Sequence, residues 1–290
     1  MTFQRMKPVY DKSLAFRLFK RHHTNFNNIF WSHKIARKYV YSQTRPFKKS
    51  DPSSKLFSIP GKTRTPPTLG GWSDSYNGFD QWTQMASIMA ICGYLETYIA
   101  QIATAAVESS PAQVLGGGAV IDGAIFLKHN PSYDLYSHIE QLVRGEWQKR
   151  ISSYKKIFGS CPFESHLSDL EHLRKLRNDT GHSFGRDIKS MKYAPSSMVQ
   201  ELPNIKDIKI QEYLGVAESV AESIDKHLFH HFVGSYEAVK LYHHWFPSQT
   251  HLTGRPKLLA KAFSVHFNEM TLSPHGKARS LGLVQYYDAL

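Results

Sequence analysis

Apolar residues recur at three- and four-residue spacing in four long segments of this 290-residue chain, and no segment reads as a strand. Trp82, Met85, Ile88, Met89, Cys92, Leu95, Tyr98, Ile99, Ile102 and Ala106 follow the helical period. They predict a first helix from Asp80, its expected N-cap, to just before Pro111. Tyr133, Tyr136, Ile139, Leu142, Val143, Trp147, Ile151, Tyr154 and Ile157 predict a second, from about Ser132 to Phe158, stopped by Gly159 and Pro162. A third is expected near Ser168, where Ser168-x-x-Glu171 has the form of a capping box and Leu167, Leu170, Leu173 and Leu176 supply an apolar edge. The fourth and longest is expected from Asp207 to Phe246, with a bend at Gly234 and a stop at Pro247.

The remaining segments punctuate these helices. Residues 45–78 hold five prolines and the pair Gly70-Gly71, the composition of a linker. Residues 183–206, with Pro195 and Pro203, read as a loop. Gly116-Gly117-Gly118 is not followed by Gly-Lys-Ser/Thr, so it is not a phosphate loop. One or two short helices are expected around 257–268 and 275–287. The expected class is all-α: an N-terminal arm and linker over 1–77, a helical domain over 78–246 and a helical tail over 247–290.

Charge changes this picture. Residues 1–65 hold 15 Lys and Arg against two acids, Asp11 and Asp51, a balance of +13 in a chain whose total is +12. The first glutamate is Glu96. Aromatics interleave with the bases: Phe16, Phe19, Phe26, Phe30, Trp31, Tyr39, Tyr41 and Phe47. Bases neutralise phosphates and rings stack on unpaired nucleobases, so Lys20, Arg21, Arg37, Lys38, Lys48 and Lys49 are candidate RNA-binding residues. A basic surface layer packed down by its aromatics fits the same residues equally well. A transit peptide fits less well, because the segment is long and not cleanly amphipathic. No run of 18 apolar residues is present, so no membrane partner is expected. Two cysteines, Cys92 and Cys161, make no disulfide framework, and a reducing cytoplasm is the expected compartment.

The candidate chemistry lies in Arg177-Asn178-Asp179-Thr180-Gly181-His182. Arginine holds a phosphate through its planar fork of donors, and histidine moves a proton near neutral pH. On a helix Asn178 and His182 share a face, while Arg177 lies about 140° from His182 and flanks it. Gly181 weakens such a helix by about 1 kcal/mol relative to alanine, and lets a substrate backbone come close. The plainer reading is a helix end with a surface arginine, a capping asparagine and a solvated histidine. His227, His230, His231, His243, His244 and His251 lack acids or cysteines in ligand spacing, so polar-face histidines are expected there, with no metal and no cofactor.

Four helices with Arg-Asn-x3-His on the third resemble the HEPN superfamily of ribonucleases. The resemblance extends to Gly93-Tyr94-Leu95-Glu96-Thr97-Tyr98-Ile99 on the first helix, and to Ala221–Leu228 and Gly234-Ser235-Tyr236-Glu237 on the fourth. It covers roughly residues 78–246. It implies a four-helix-bundle domain, a homodimer whose motifs meet in one cleft, and RNA cleavage without metal. It implies catalytic roles for Arg177, Asn178 and His182, and a weaker one for Glu96, which reads equally well as a surface carboxylate. It further implies a toxin or anti-phage protein held by a cognate antitoxin or sensor. The alternative expectation is a non-catalytic module that binds RNA or a partner.

Overall fold

The computed structural model describes residues 3–8, 10–61, 64–116, 121–183 and 204–290, the side chains of His182 and Ser183 excepted. Gly117, Gly118 and residues 184–203 of the expected loops lie outside the described residues. The chain is 76% helical, and no β-strand occurs among the described residues. One isolated bridge joins Pro52 and Thr68. The all-α expectation holds.

In chain order the helices are α1 (Leu14–Thr44), α2 (Leu69–Ser109), α3 (Ala112–Leu115), α4 (Gly123–His129), α5 (Tyr136–Val143), α6 (Trp147–Phe158) and α7 (Leu167–Ser183). Then come α8 (Asp207–Leu228), a π-helical turn (Phe229–Val233), α9 (Tyr236–Trp245), a 3-10 segment (Phe246–Leu252), α10 (Pro256–Thr271) and α11 (Lys277–Ala289). They form two compact units. The first comprises Met1–Phe19, Leu95–Leu167 and Glu218–Leu290, and the second Lys20–Tyr94 and Ser168–Ala217. The units follow neither of the boundaries expected at 77 and 246.

Several helix limits differ from expectation, each for a physical reason. Helix α2 begins at Leu69, so Asp80 lies inside it and is no N-cap. Thr68 is the cap: its Oγ1 accepts from the Gly71 N–H at 3.2 Å. The Leu69 and Gly70 N–H groups donate to the carbonyls of Asp51 (2.9 Å) and Lys49 (2.8 Å). The orphan donors of the first turn are thus satisfied by neighbouring backbone. A Cβ on Gly70 would lie 3.1 Å from the Lys49 carbonyl oxygen, so the glycine permits that approach. The expected second helix is two, because Gly145 at φ +84 ends α5 and lets the chain turn before α6. The expected fourth helix breaks at Gly234 (φ +55), after the π-helical turn. By length and composition α2 could cross a membrane, and half of its most apolar window is buried.

In the first unit the start of α1 is core. Phe16 and Phe19 are buried with their ring centroids 6.0 and 5.4 Å from that of Tyr98, whose hydroxyl donates to the Ala221 carbonyl at 2.9 Å. The tail belongs to the same core: Tyr242 of α9 meets Phe263 of α10 and Tyr287 of α11 at 5.1 Å each. Arg5 is buried, donates to the Val233 carbonyl at 2.8 Å and faces Asp122 at 3.3 Å.

In the second unit Phe30 of α1 is buried and His22 stacks on Tyr94 at 5.2 Å. The His23 ring lies 3.2 Å from the Leu214 carbonyl of α8. The basic segment is therefore a helix seated by its aromatics, the second of its two readings. Phe16, Phe19 and Phe30 are not available to stack on nucleobases.

Candidate nucleic-acid interface and motif helix

Helix α7 carries the Arg-Asn-x3-His segment and is held by apolar and hydroxyl contacts within the second unit. Leu170 and Leu173 are buried, and the Cys92 thiol of α2 lies 3.8 Å from the Leu173 carbonyl oxygen. His172 Nδ1 and the Tyr213 hydroxyl of α8 are 3.1 Å apart. Thr180 is buried, and its hydroxyl donates back to the Leu176 carbonyl at 2.8 Å. Between these anchors Arg177 and Asn178 are half-buried, while Asp179 and Gly181 are exposed. Among the described residues, a Cβ on Gly181 would meet Met89, at 3.8 Å. The helix continues through His182, whose side chain lies outside the described residues. The three motif positions thus share one uninterrupted helix, with 178 and 182 on one face. Ser168 falls within its first turn.

Glu96, the fourth expected catalytic residue, has an ion-pair partner within its own unit. It belongs to the first unit, where its Oε1 accepts from Arg150 Nη2 at 2.9 Å. The Arg150 side chain is 2% exposed, lies over the Trp147 ring at 4.5 Å and donates from Nε to the Gly145 carbonyl at 3.0 Å. Glu96 is the counter-charge of a buried guanidinium.

The candidate phosphate-binding residues divide into engaged and open ones. Arg37 donates to Asn77 Oδ1 at 2.7 Å, lies over the Tyr41 ring at 4.9 Å and approaches Asp80 at 3.6 Å. Lys34 bridges Asp80 (2.7 Å) and Asp207 (2.6 Å). Burial alone would raise the Asp80 carboxyl, but Lys34, His33 and Arg37 outweigh it and hold its pKa below the ordinary value. Asp80 is thus an ion-pair centre inside α2. Lys38 and Arg45 are exposed and line an open hollow of about 580 Å³ with Lys34, Arg37, Tyr41 and Asn77. Arg21, Lys48 and Lys49 are exposed and Lys20 is half-buried. The second unit holds 19 Lys and Arg against 10 Asp and Glu, so it carries +9 of the chain's +12.

Three of the polar-face histidines, His227, His231 and His243, have hydrogen-bond partners within the first unit. His227 Nδ1 lies 2.9 Å from the Tyr154 hydroxyl, and burial followed by the nearby His231 lowers its pKa. His231 Nδ1 donates to the His227 carbonyl at 2.8 Å, and His243 Nδ1 lies 2.7 Å from the Tyr287 hydroxyl. Among the described residues no three His, Cys, Asp or Glu side chains converge as a metal site.

Sequence reasoning missed a row of rings on α2. Trp72, Tyr76 and Phe79 recur at helical spacing with Trp82, which opened the expected series; the first three were hidden because the helix was expected to begin at Asp80. Comparison of the chain with protein-family models, with curated proteins and with solved structures returned no match.

Proposed function

We propose that the protein is a metal-independent endoribonuclease of the HEPN kind, acting as a homodimer in a cytoplasmic toxin or anti-phage system. The observation that carries the reading is that Arg177, Asn178 and His182 occupy one continuous helix in the unit that holds most of the positive charge. The RNA 2′-hydroxyl attacks the adjacent phosphorus. The P–O2′ bond forms as the P–O5′ bond breaks, leaving a 2′,3′-cyclic phosphate and a 5′-hydroxyl. One His182 takes the 2′-hydroxyl proton and a second donates a proton to the leaving 5′-oxygen. Arg177 binds the non-bridging oxygens, and Asn178 orients the imidazole or the phosphate. One protomer supplies a single His182, so two motifs facing across a two-fold axis complete the site.

The test is cleavage of RNA in excess chelator by wild type, His182→Ala and Arg177→Ala. Wild type is expected to release 2′,3′-cyclic phosphate ends, and both variants are expected to lose activity. Undiminished cutting by His182→Ala, or wild-type activity abolished by chelator, overturns the mechanism.

The second reading is a non-catalytic RNA-binding module, favoured by the engagement of Glu96 with Arg150. Expression separates the two. A ribonuclease toxin arrests growth and Arg177→Ala relieves the arrest, whereas a binding module is as harmless as its variant.

A further inference from the structure

Lys34, Arg37 and Lys38 lie on one face of α1, and Arg45 continues the row just past its last residue, Thr44. With Asn77 of α2 and Asp207 of α8 they line the hollow of about 580 Å³, which belongs wholly to the second unit. That is the size of a small-ligand site, about 300–1,000 Å³. Two of the four cations are already matched. Lys34 pairs with Asp80 and Asp207, and Arg37 faces Asp80. Lys38 and Arg45 are exposed, and among the described residues neither has a hydrogen-bond or ion-pair partner. The two acids thus offset Lys34 and Arg37, and the hollow keeps the positive charges of Lys38 and Arg45.

The opposite wall donates as well. Asn77 Oδ1 accepts from Arg37 at 2.7 Å and from the Tyr41 hydroxyl at 2.8 Å. The amide oxygen is thereby committed, and the NH₂ group is the end of Asn77 left for a ligand. The same two bonds fix the amide in advance, which lowers the entropy lost on binding. The Tyr41 ring, which also lines the hollow, is engaged: Arg37 lies over it at 4.9 Å, and Trp72 and Tyr76 pack on it at 5.6 and 5.9 Å. Recognition here is by charge and hydrogen bond, not by stacking a base.

Two unmatched cations beside amide donors suit a compact anion of two charges. A phosphate monoester carries about −1.5 to −2 near pH 7 and offers three acceptor oxygens. A phosphodiester inside a strand carries a single charge. Lys38 and Arg45 lie about 10 Å apart along the helix axis. Their long, flexible side chains can close on one phosphate held between them, with the planar fork of Arg45 taking two of its oxygens.

We infer that Lys38, Arg45 and Asn77 form a binding site for a phosphate monoester, the terminal phosphate of an RNA end or of a free nucleotide. The site goes beyond the ribonuclease reading and does not depend on it, because it rests on the hollow and not on the Arg177–His182 motif.

The test is fluorescence-anisotropy titration of the full-length protein with a short, 3′-labelled 2′-O-methyl oligouridine that carries either a 5′-phosphate or a 5′-hydroxyl. The 2′-O-methyl groups block 2′-hydroxyl attack, so cleavage does not enter the readout. Salt is held at about 0.15 M, where exposed charges more than about 8 Å apart are largely screened. Wild type is expected to bind the phosphorylated strand at least about fivefold more tightly. Lys38→Gln with Arg45→Gln is expected to abolish that preference. Asn77→Asp keeps the acceptor for Arg37 and Tyr41 but loses the donors and adds a negative charge, and is expected to abolish it too. Uridine 5′-monophosphate as competitor separates the two sources. It displaces the phosphorylated strand where a free nucleotide suffices, and leaves it bound where the RNA end is required. Equal affinity for the two strands overturns the proposal in favour of general backbone contact, and binding of neither overturns it outright. A preference that survives in either variant, shown folded by circular dichroism, overturns the assignment to this hollow.

Discussion

Glu237 and Leu14 are joined by a 2.7 Å hydrogen bond in which the Leu14 backbone N–H donates to Oε2 of the carboxylate. Oε1 of the same group accepts from the Ala15 N–H at 3.0 Å. The first N–H groups of a helix have no intrahelical partner, so a side chain of α9 caps the start of α1. Ser13 completes the cap: its hydroxyl accepts from the Phe16 N–H at 3.0 Å and donates to Asp225 of α8.

This cap makes stability depend on pH. Burial pushes the Glu237 carboxyl up from 4.5 to about 7, against the two N–H donors and Arg17, and nearby Asp225 adds to the rise. The Asp225 carboxyl is raised as well, chiefly by burial. A folded pKa above the unfolded one means that the unfolded chain ionises first as pH rises. The contribution of Glu237 is therefore full below about pH 4.5 and is lost as pH rises to about 7. Glu237→Gln keeps an acceptor and cannot ionise. Chemical denaturation from pH 5 to 8 is expected to show a shallower decline for Glu237→Gln than for wild type. An unchanged profile would remove Glu237 as the source. Glu237→Ala is expected to cost about 1–2 kcal/mol through the lost cap.

The seating of α1 predicts the outcome of truncation. Deleting residues 1–65 removes the rings that cover Tyr98 and Tyr94 and the Lys34 that neutralises Asp80. The truncated chain is expected to lose both far-ultraviolet helicity beyond α1 itself and its cooperative melt. A cooperative melt retained after the deletion would make α1 an appendage.

Gly234 offers a sharper probe of the N-terminal segment. It sits at φ +55, and a Cβ there would lie 2.6 Å from the Arg5 carbonyl oxygen, a backbone atom with little room to move. Gly159 has φ +85 but open space around it. Gly159→Ala carries backbone strain alone, about 1 kcal/mol, while Gly234→Ala adds the clash and is expected to cost about 2–3 kcal/mol. Thermal melts of the two variants check the ranking, and equal losses would show that the Arg5 approach is soft.

Helical periodicity made the class legible, because an apolar residue every three or four positions from Trp82 to Ala106 has no other reading. The start of α2 was not legible. Gly70-Gly71 after two prolines has the composition of a linker, and the Lys49 and Asp51 carbonyls, supplied by chain folded back against it, join the Thr68 cap in satisfying a helix start there. The same misreading hid Trp72, Tyr76 and Phe79. Charge counting located the basic segment but could not separate Lys38, which stays open, from Lys34, which Asp80 and Asp207 neutralise. The motif was legible as a helix segment, since Leu170 and Leu173 fix its register. The Glu96–Arg150 ion pair was not, because the two residues lie 54 positions apart.

The Glu96–Arg150 pair decides whether that acid belongs to the chemistry. A guanidinium with a 2% exposed side chain has little water to stabilise it, so removing its carboxylate leaves a buried charge with less compensation. Glu96→Ala is expected to destabilise the protein by about 2–4 kcal/mol, scaled down from a fully buried pair because Glu96 keeps a 24% exposed side chain. Arg150→Met fills similar volume without charge, so the double variant Glu96→Ala, Arg150→Met is expected to recover most of the loss. Cleavage assays on the same proteins separate structure from catalysis. If Glu96 only neutralises Arg150, kcat per folded molecule in the stabilised double variant matches wild type, while His182→Ala remains inactive. A double variant that is as stable as wild type but loses activity would instead restore Glu96 to the catalytic set.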